Sequence, residues 1–146
     1  MRAAQWFRAA ALILLLFAIG HTYGFLSFRP ASEEGLAVWN SMNKVRFAVG
    51  HGTASYGEFY VGFGMFITAF YLFCSWLAWT IASMARRANP ETKRLATGLA
   101  LLQFVGLGLA LWYEFGPPPT FMSLATIVCL IFGIRALARS VDLARP

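Results

Sequence analysis

The segment Ser55–Met84, SYGEFYVGFGMFITAFYLFCSWLAWTIASM, decides the fold of this chain. It is almost wholly apolar, and its one charged residue, Glu58, lies near its beginning. At 1.5 Å per residue, about thirty helical residues cover roughly 45 Å, more than the roughly 30 Å hydrocarbon core of a bilayer. The segment therefore predicts a membrane-spanning helix that protrudes from the core at one end.

Three further apolar segments, at about 6–26, 95–113 and 121–137, have the roughly 17–25 residues that a transmembrane helix needs. Of the 146 residues, 59 % are hydrophobic and only 12 % are charged, whereas a soluble domain has about 25 % charged residues. We therefore predict an all-α transmembrane four-helix bundle. It is expected to form a single membrane domain over residues 1–146, with span two at about 55–84.

The positions of lysine and arginine predict the orientation of the bundle. The chain has 12 such residues, and all except Arg29, Lys44 and Arg46 fall at the N-terminus, between spans two and three, or at the C-terminal end. By the positive-inside rule, both termini are cytoplasmic and the first and third loops face outward. Because topology accounts for the net charge of +6, we expect no nucleic-acid partner.

The long first loop, about Ser27–Ala54, has the pattern of a short amphipathic helix. Ser32 is a candidate N-cap, and glutamates follow it in the first turn. Apolar residues then recur at three-residue steps, at Leu36, Trp39, Met42 and Val45. We expect this helix to lie in the outer interface or over the mouth of the bundle, with a plain solvated loop as the alternative.

Prolines mark the other two loops. Pro90, in NPET, is expected to break the helix between spans two and three. Residues 114–120, EFGPPPT, predict a tight turn stiffened by proline between spans three and four.

Most of the polar chemistry collects at the predicted outer ends of the spans. Counting inward from the basic residues gives five candidate ligand-binding residues at this level: His21, Tyr23, Glu58, Tyr60 and Glu114. An ionisable residue within a membrane span is by default a candidate for function. We therefore treat this set as the candidate site.

The helical face of Glu58 predicts its surroundings. It shares that face with Gly62, Met65 and Ala69, while a stripe of phenylalanines from Phe59 to Phe73 lies on another face. Small residues mark helix contacts in membranes, so the Glu58 face is expected to point into the bundle. The phenylalanines would then face lipid or a neighbouring helix. Close approach of spans one and two would bring His21 near Glu58.

Three interpretations of the cluster remain open. It is a structural pair that fixes helix register, or a mouth that binds an amphiphile such as a lipid headgroup or isoprenoid, or a redox or metal site. The last would be haem b held axially by His21 and His51, or a metal held by His21, Glu58 and Glu114. The sequence contains no GxSxG, HExxH or phosphate-loop motif.

The leading prediction is a non-catalytic integral membrane protein: a scaffold, an accessory subunit, or a binder of a lipidic molecule at the outer mouth. No catalytic residue, metal or cofactor is expected. One alternative is a small electron-transfer protein with haem b at His21 and His51. The other is a membrane enzyme that acts on a lipid or quinone through His21 and Glu58. Expected partners are membrane lipids, another membrane protein or a second copy of the chain.

Several segments resemble known membrane proteins. GHTYGF at residues 20–25, Pro30 and SYGEFYVGFG at 55–64 resemble an uncharacterised family of small bacterial four-span membrane proteins. This resemblance implies a multi-pass protein of the bacterial cytoplasmic membrane. The long first loop and WYEFGPPPT at 112–120 are similar to the four-span scaffold proteins of ergosterol biosynthesis, which implies a tethering role. Neither resemblance implies an activity or a functional residue.

Overall fold

A computed structural model describes residues 2–87, 89 and 91–142, without the side chains of residues 140–142. Pro90, predicted to break a helix, and Arg145, counted among the cytoplasmic basic residues, lie outside the described residues. The described residues form five helices and one two-stranded sheet. In chain order these are α1 Ala3–Ser27, α2 Glu33–Lys44, β1 Arg46–Val49, β2 Gly52–Ser55, α3 Tyr56–Arg86, α4 Thr92–Trp112 and α5 Pro117–Asp142.

Four of the described helices, α1, α3, α4 and α5, are long and apolar enough to cross a membrane. The longest is α3, and it covers almost the whole of the segment that first indicated the fold. The prediction of an all-α chain with four membrane-spanning helices is confirmed. The protein is therefore a multi-pass membrane protein.

The contacts within the chain define two compact units. Unit one consists of Met1–Phe17 and Tyr71–Pro146, and unit two consists of Ala18–Phe70. Helices α1 and α3 contribute one part to each unit, whereas α4 and α5 belong wholly to unit one.

Unit one is a four-helix core. Side chains from α1, α3, α4 and α5 pack into one buried cluster. The largest of them are Phe7, Leu14, Ile81, Leu99 and Leu130. Buried alanines lie between these large residues, which lets the helix backbones approach closely, as is typical of membrane helices. The Ser75 hydroxyl of α3 also donates a hydrogen bond to the Ala11 carbonyl of α1 at 2.8 Å.

Unit two begins with the last part of α1 and ends with the first part of α3. Between them lies α2, which starts as the sequence predicts: the Ser32 side chain accepts a hydrogen bond from the Gly35 amide at 3.0 Å. The first loop therefore contains a helix. Glutamates in the first turn of α2 and Lys44 in its last turn complement the helix dipole.

A β-hairpin follows α2, and we did not predict it from the sequence. Strands β1 and β2 pair antiparallel, with Arg46 opposite Ser55 and Val49 opposite Gly52. Only Gly50 and His51 form the turn, and Gly50 has a φ of 56°. A two-residue hairpin turn needs positive φ at its first position, which glycine adopts without strain.

The predicted proline turn between spans three and four is shorter than expected. The turn covers residues 113–116, with positive φ at Glu114 and Gly116. Helix α5 already begins at Pro117, so the three prolines lie in its first turn rather than in a loop. Prolines fit there because the first amides of a helix have no partner within the helix and the fixed φ of proline is helical.

Candidate functional site

The start of α3 explains why a carboxylate begins a membrane helix. The Ser55 amide donates to Glu58 Oε2 at 2.7 Å, and the Glu58 amide donates to Ser55 Oγ at 3.1 Å. This reciprocal pair is a capping box, which satisfies two backbone amides at the start of the helix. The sequence signal for it is SYGE directly before an apolar run, and we did not predict the cap from it.

Arg46 of β1 completes the polar group at this end of α3. Its guanidinium lies 3.4 Å from Glu58 Oε2, and it donates to the Thr53 carbonyl at 2.8 Å. The pairing is possible because Arg46 is opposite Ser55 in the hairpin register. Half of the Arg46 side chain and 58 % of the Glu58 side chain are exposed. An ion pair this exposed adds little stability in water, so its main effect is to fix the positions of two opposite charges.

The predicted orientation of Glu58 is wrong. Its helical face, including Gly62 and Met65, is exposed rather than packed inside the protein. The buried face of α3 in unit two instead carries Gly64 and Thr68. Both faces contain small residues. The face that packs against α1 is the one with Gly64 and, four residues later, the hydroxyl of Thr68.

His21 of α1 contacts this buried face of α3. Its Nε2 donates to the Gly64 carbonyl at 3.3 Å, and its ring lies 5.1 Å from that of Phe25. Gly64 follows Glu58 by six residues, which corresponds to about 9 Å along the helix and about 120° around it. We expected His21 and Glu58 to lie close together. Instead, His21 contacts α3 at Gly64, and Glu58 pairs with Arg46 at the start of α3.

A threonine pair continues the contact between α1 and α3. The hydroxyls of Thr22 and Thr68 are 2.8 Å apart. Each hydroxyl also lies within hydrogen-bonding distance of a carbonyl in its own helix, that of Ala18 or Gly64. Each has a single proton, so one hydroxyl donates across the interface while the other donates within its helix.

Tyr60 belongs to an aromatic cluster that joins three helices of unit two. Its ring meets those of Phe25 in α1 and Trp39 in α2 edge to face, at 6.3 and 5.8 Å between centroids. Trp39 also packs edge to face on Phe28, at 6.0 Å. The Arg29 guanidinium lies 5.3 Å from the Trp39 ring in a cation–π contact. Tyr60 therefore anchors α2 beside α3.

The remaining candidate residues lie elsewhere. The Tyr23 side chain is largely exposed on α1. Glu114 belongs to unit one, in the turn before α5, with a φ of 50°. His51, proposed as a haem ligand, lies exposed in the hairpin turn. Among the residues that the structure describes, no three His, Cys, Asp or Glu side chains form a group that could hold a metal ion.

A groove runs along the exposed side of α3 in unit two. We name it the lateral groove; it is a shallow, open groove with a volume of about 390 Å³, and it is lined by Ala54, Glu58, Phe59, Gly62, Phe63 and Phe66. Gly62 contributes open space to the groove, since a Cβ at that position would meet no described atom within 4 Å apart from the neighbouring backbone of its own helix. Phe47 of β1 supports one wall, with its ring 5.8 Å from that of Phe59.

The arrangement is chemically asymmetric along the groove. Glu58 and Arg46 present opposite charges at the end where α3 begins, and only apolar groups follow over the next two turns. Such a surface suits a molecule with a polar end and a hydrocarbon tail. The Glu58 carboxylate itself accepts a hydrogen bond from the Ser55 amide and is paired with Arg46.

Comparisons of the chain with models of protein families, with curated proteins and with solved structures gave no match.

Proposed function

We propose that this chain is a non-catalytic integral membrane protein of the bacterial cytoplasmic membrane that binds a lipidic molecule in the lateral groove. The observation that carries the proposal is the groove itself. It combines an apolar channel beside Gly62 with a charged pair, Glu58 and Arg46, at one end. A hydrocarbon tail would lie on the phenylalanines, and a polar end would reach the ion pair.

Two features of the groove support binding over simple contact with bulk lipid. The rings of Phe59 and Phe63 lie 5.0 Å apart and form a continuous wall. Phe47 packs against the same wall from the hairpin, so the wall is fixed by a second element of the chain. A preformed groove binds a flexible chain at lower entropic cost than a surface that must first be ordered.

Native mass spectrometry of the detergent-purified protein tests this proposal. The decisive variant is Gly62→Phe, because a Cβ at this position has open space and the new ring would obstruct the groove. We expect it to retain the bound lipidic molecule at least about tenfold less than the wild type, a loss of about 1.4 kcal/mol. Gly108→Phe is the matched control, since Gly108 also has no heavy atom within 4 Å of a built Cβ but lies on α4.

Three results would contradict the proposal. Equal retention by Gly62→Phe and Gly108→Phe would show that the groove does not hold the molecule. Turnover of a lipid or quinone, with loss of activity in Glu58→Gln, would favour the enzyme alternative with His21. A Soret band in the absorption spectrum would favour the haem b alternative with His21 and His51.

A further inference from the structure

We propose a second ligand site, in unit one, for the phosphate of an anionic glycerophospholipid headgroup. A cavity of about 460 Å³ lies where α1 begins, α3 ends and α5 approaches its end. Two arginines, Arg2 and Arg86, line it together with four alanines and Leu137. None of the described residues that line it also lines the lateral groove, so the inference does not rest on the proposed function.

The charges of the cavity select an anion. Arg2 and Arg86 are its two charged residues among those described, and none of the described lining residues is acidic. A guanidinium presents several N–H donors in a plane, which matches two oxygens of a phosphate group. One terminal nitrogen of Arg86 lies 3.4 Å from the Ser83 hydroxyl, and the group has further donors for a ligand.

The walls of the cavity favour a lipid over a free anion. Among the described residues, five apolar side chains form them: Ala3, Ala4, Ala85, Ala136 and Leu137. A free phosphate ion gains nothing from such walls, whereas the glycerol and first methylenes of a lipid have apolar surface to bury. The cavity also lies at the ends of helices long enough to span a membrane, the level at which headgroups are found.

The test is a native mass spectrometry titration of the full chain in detergent with phosphatidylglycerol, phosphatidylcholine or inorganic phosphate. We expect phosphatidylglycerol to bind, and the double variant Arg2→Gln/Arg86→Gln to weaken its binding at least about tenfold, since it removes both sources of charge-assisted hydrogen bonds to the phosphate. The control Lys93→Gln/Arg94→Gln removes the same amount of charge. Neither Lys93 nor Arg94 is among the described residues that line the cavity. It should bind phosphatidylglycerol within about twofold of the wild type.

A second variant keeps the test decisive if the double variant does not fold. Ala85→Leu leaves both charges in place and narrows the cavity, so it should weaken the binding of phosphatidylglycerol and leave the helix content unchanged. Equal weakening by the arginine pair and the Lys93/Arg94 control would overturn the proposal, because the effect would then be net charge. Binding of inorganic phosphate or phosphatidylcholine as tight as that of phosphatidylglycerol would overturn it as well.

Discussion

Ser55 and Glu58 cap helix α3 reciprocally, each accepting a hydrogen bond from the backbone amide of the other. The interaction supplies a structural reason for the only carboxylate in a long apolar helix. It also places Glu58 at one end of the lateral groove, beside Arg46 of the hairpin. Ser55, Glu58 and Arg46 therefore stabilise the start of α3 and also fix the charged end of the proposed binding site.

The capping box predicts a loss of stability on truncation of either partner. Ser55→Ala and Glu58→Ala should each lower the free energy of unfolding by about 1 kcal/mol, the usual effect of removing an N-cap interaction. Unfolding in a detergent titration, followed by far-UV circular dichroism, measures the change. Glu91→Ala is the control, because Glu91 precedes α4 without a side-chain capping bond and should change stability by less than about 0.5 kcal/mol.

A second variant at Glu58 distinguishes the contribution of the helix cap to stability from that of the ion pair. Glu58→Gln keeps an acceptor for the Ser55 amide but removes the charge that faces Arg46. Because that ion pair is half exposed, the variant should lose less than about 1 kcal/mol. A loss in Glu58→Gln as large as that in Glu58→Ala would assign the stabilisation to the ion pair instead.

Two glycines near the start of α3 should respond in opposite directions to alanine. A Cβ at Gly64 would lie 2.6 Å from the Phe25 ring, so Gly64→Ala should destabilise by about 1–3 kcal/mol through overpacking. A Cβ at Gly62 has open space, so Gly62→Ala should be neutral or stabilise by up to about 1 kcal/mol. Thermal unfolding of both variants measures the difference. If the two substitutions changed stability by similar amounts, Gly64 would not be the position at which α3 closely contacts α1.

The threonine pair of α1 and α3 predicts a measurable coupling. A double-mutant cycle of Thr22→Val and Thr68→Val should give about 0.6 kcal/mol, the usual value for hydrogen bonds between membrane helices. The control cycle pairs Thr22→Val with Thr80→Val, since the Thr80 hydroxyl donates to the Trp76 carbonyl of its own helix. Its coupling should be near zero. Equal coupling in the two cycles would refute the hydrogen bond.

The orientation in the membrane remains a prediction from the distribution of basic residues. A reporter that is active only in the cytoplasm, fused after Pro146, should be active, and the same reporter inserted in the hairpin turn at His51 should be silent. Activity at His51 with silence at Pro146 would invert the orientation.

The parts of the fold that could be predicted are those with a strong signal in the sequence. Four apolar segments are visible because hydropathy accumulates over about 20 residues, and Ser32 followed by two glutamates is a local N-cap signal. The hairpin depends on a shorter signal, the two-residue Gly50–His51 turn between four-residue strands. We interpreted that signal as a loop.

The candidate site was harder to predict because it depends on which face of α3 packs. Gly62 and Ala69 mark one face, and Gly64 and Thr68 mark another, so small residues alone do not decide. The contacts of Gly64 with Phe25 and His21 decide it in the structure, and they join residues from separate helices, with His21 and Gly64 43 positions apart in the chain. Local pattern could identify Glu58 as unusual, but not its partner Arg46, which the hairpin brings into place.

Photo-crosslinking with a phospholipid that carries a diazirine in its acyl chain tests the central claim most directly. The lateral groove predicts that crosslinked peptides concentrate within residues 54–66, and that Gly62→Phe removes this label while Gly108→Phe leaves it. Labelling spread evenly over the exposed apolar residues of α3 and α4, unchanged in Gly62→Phe, would contradict binding in the groove.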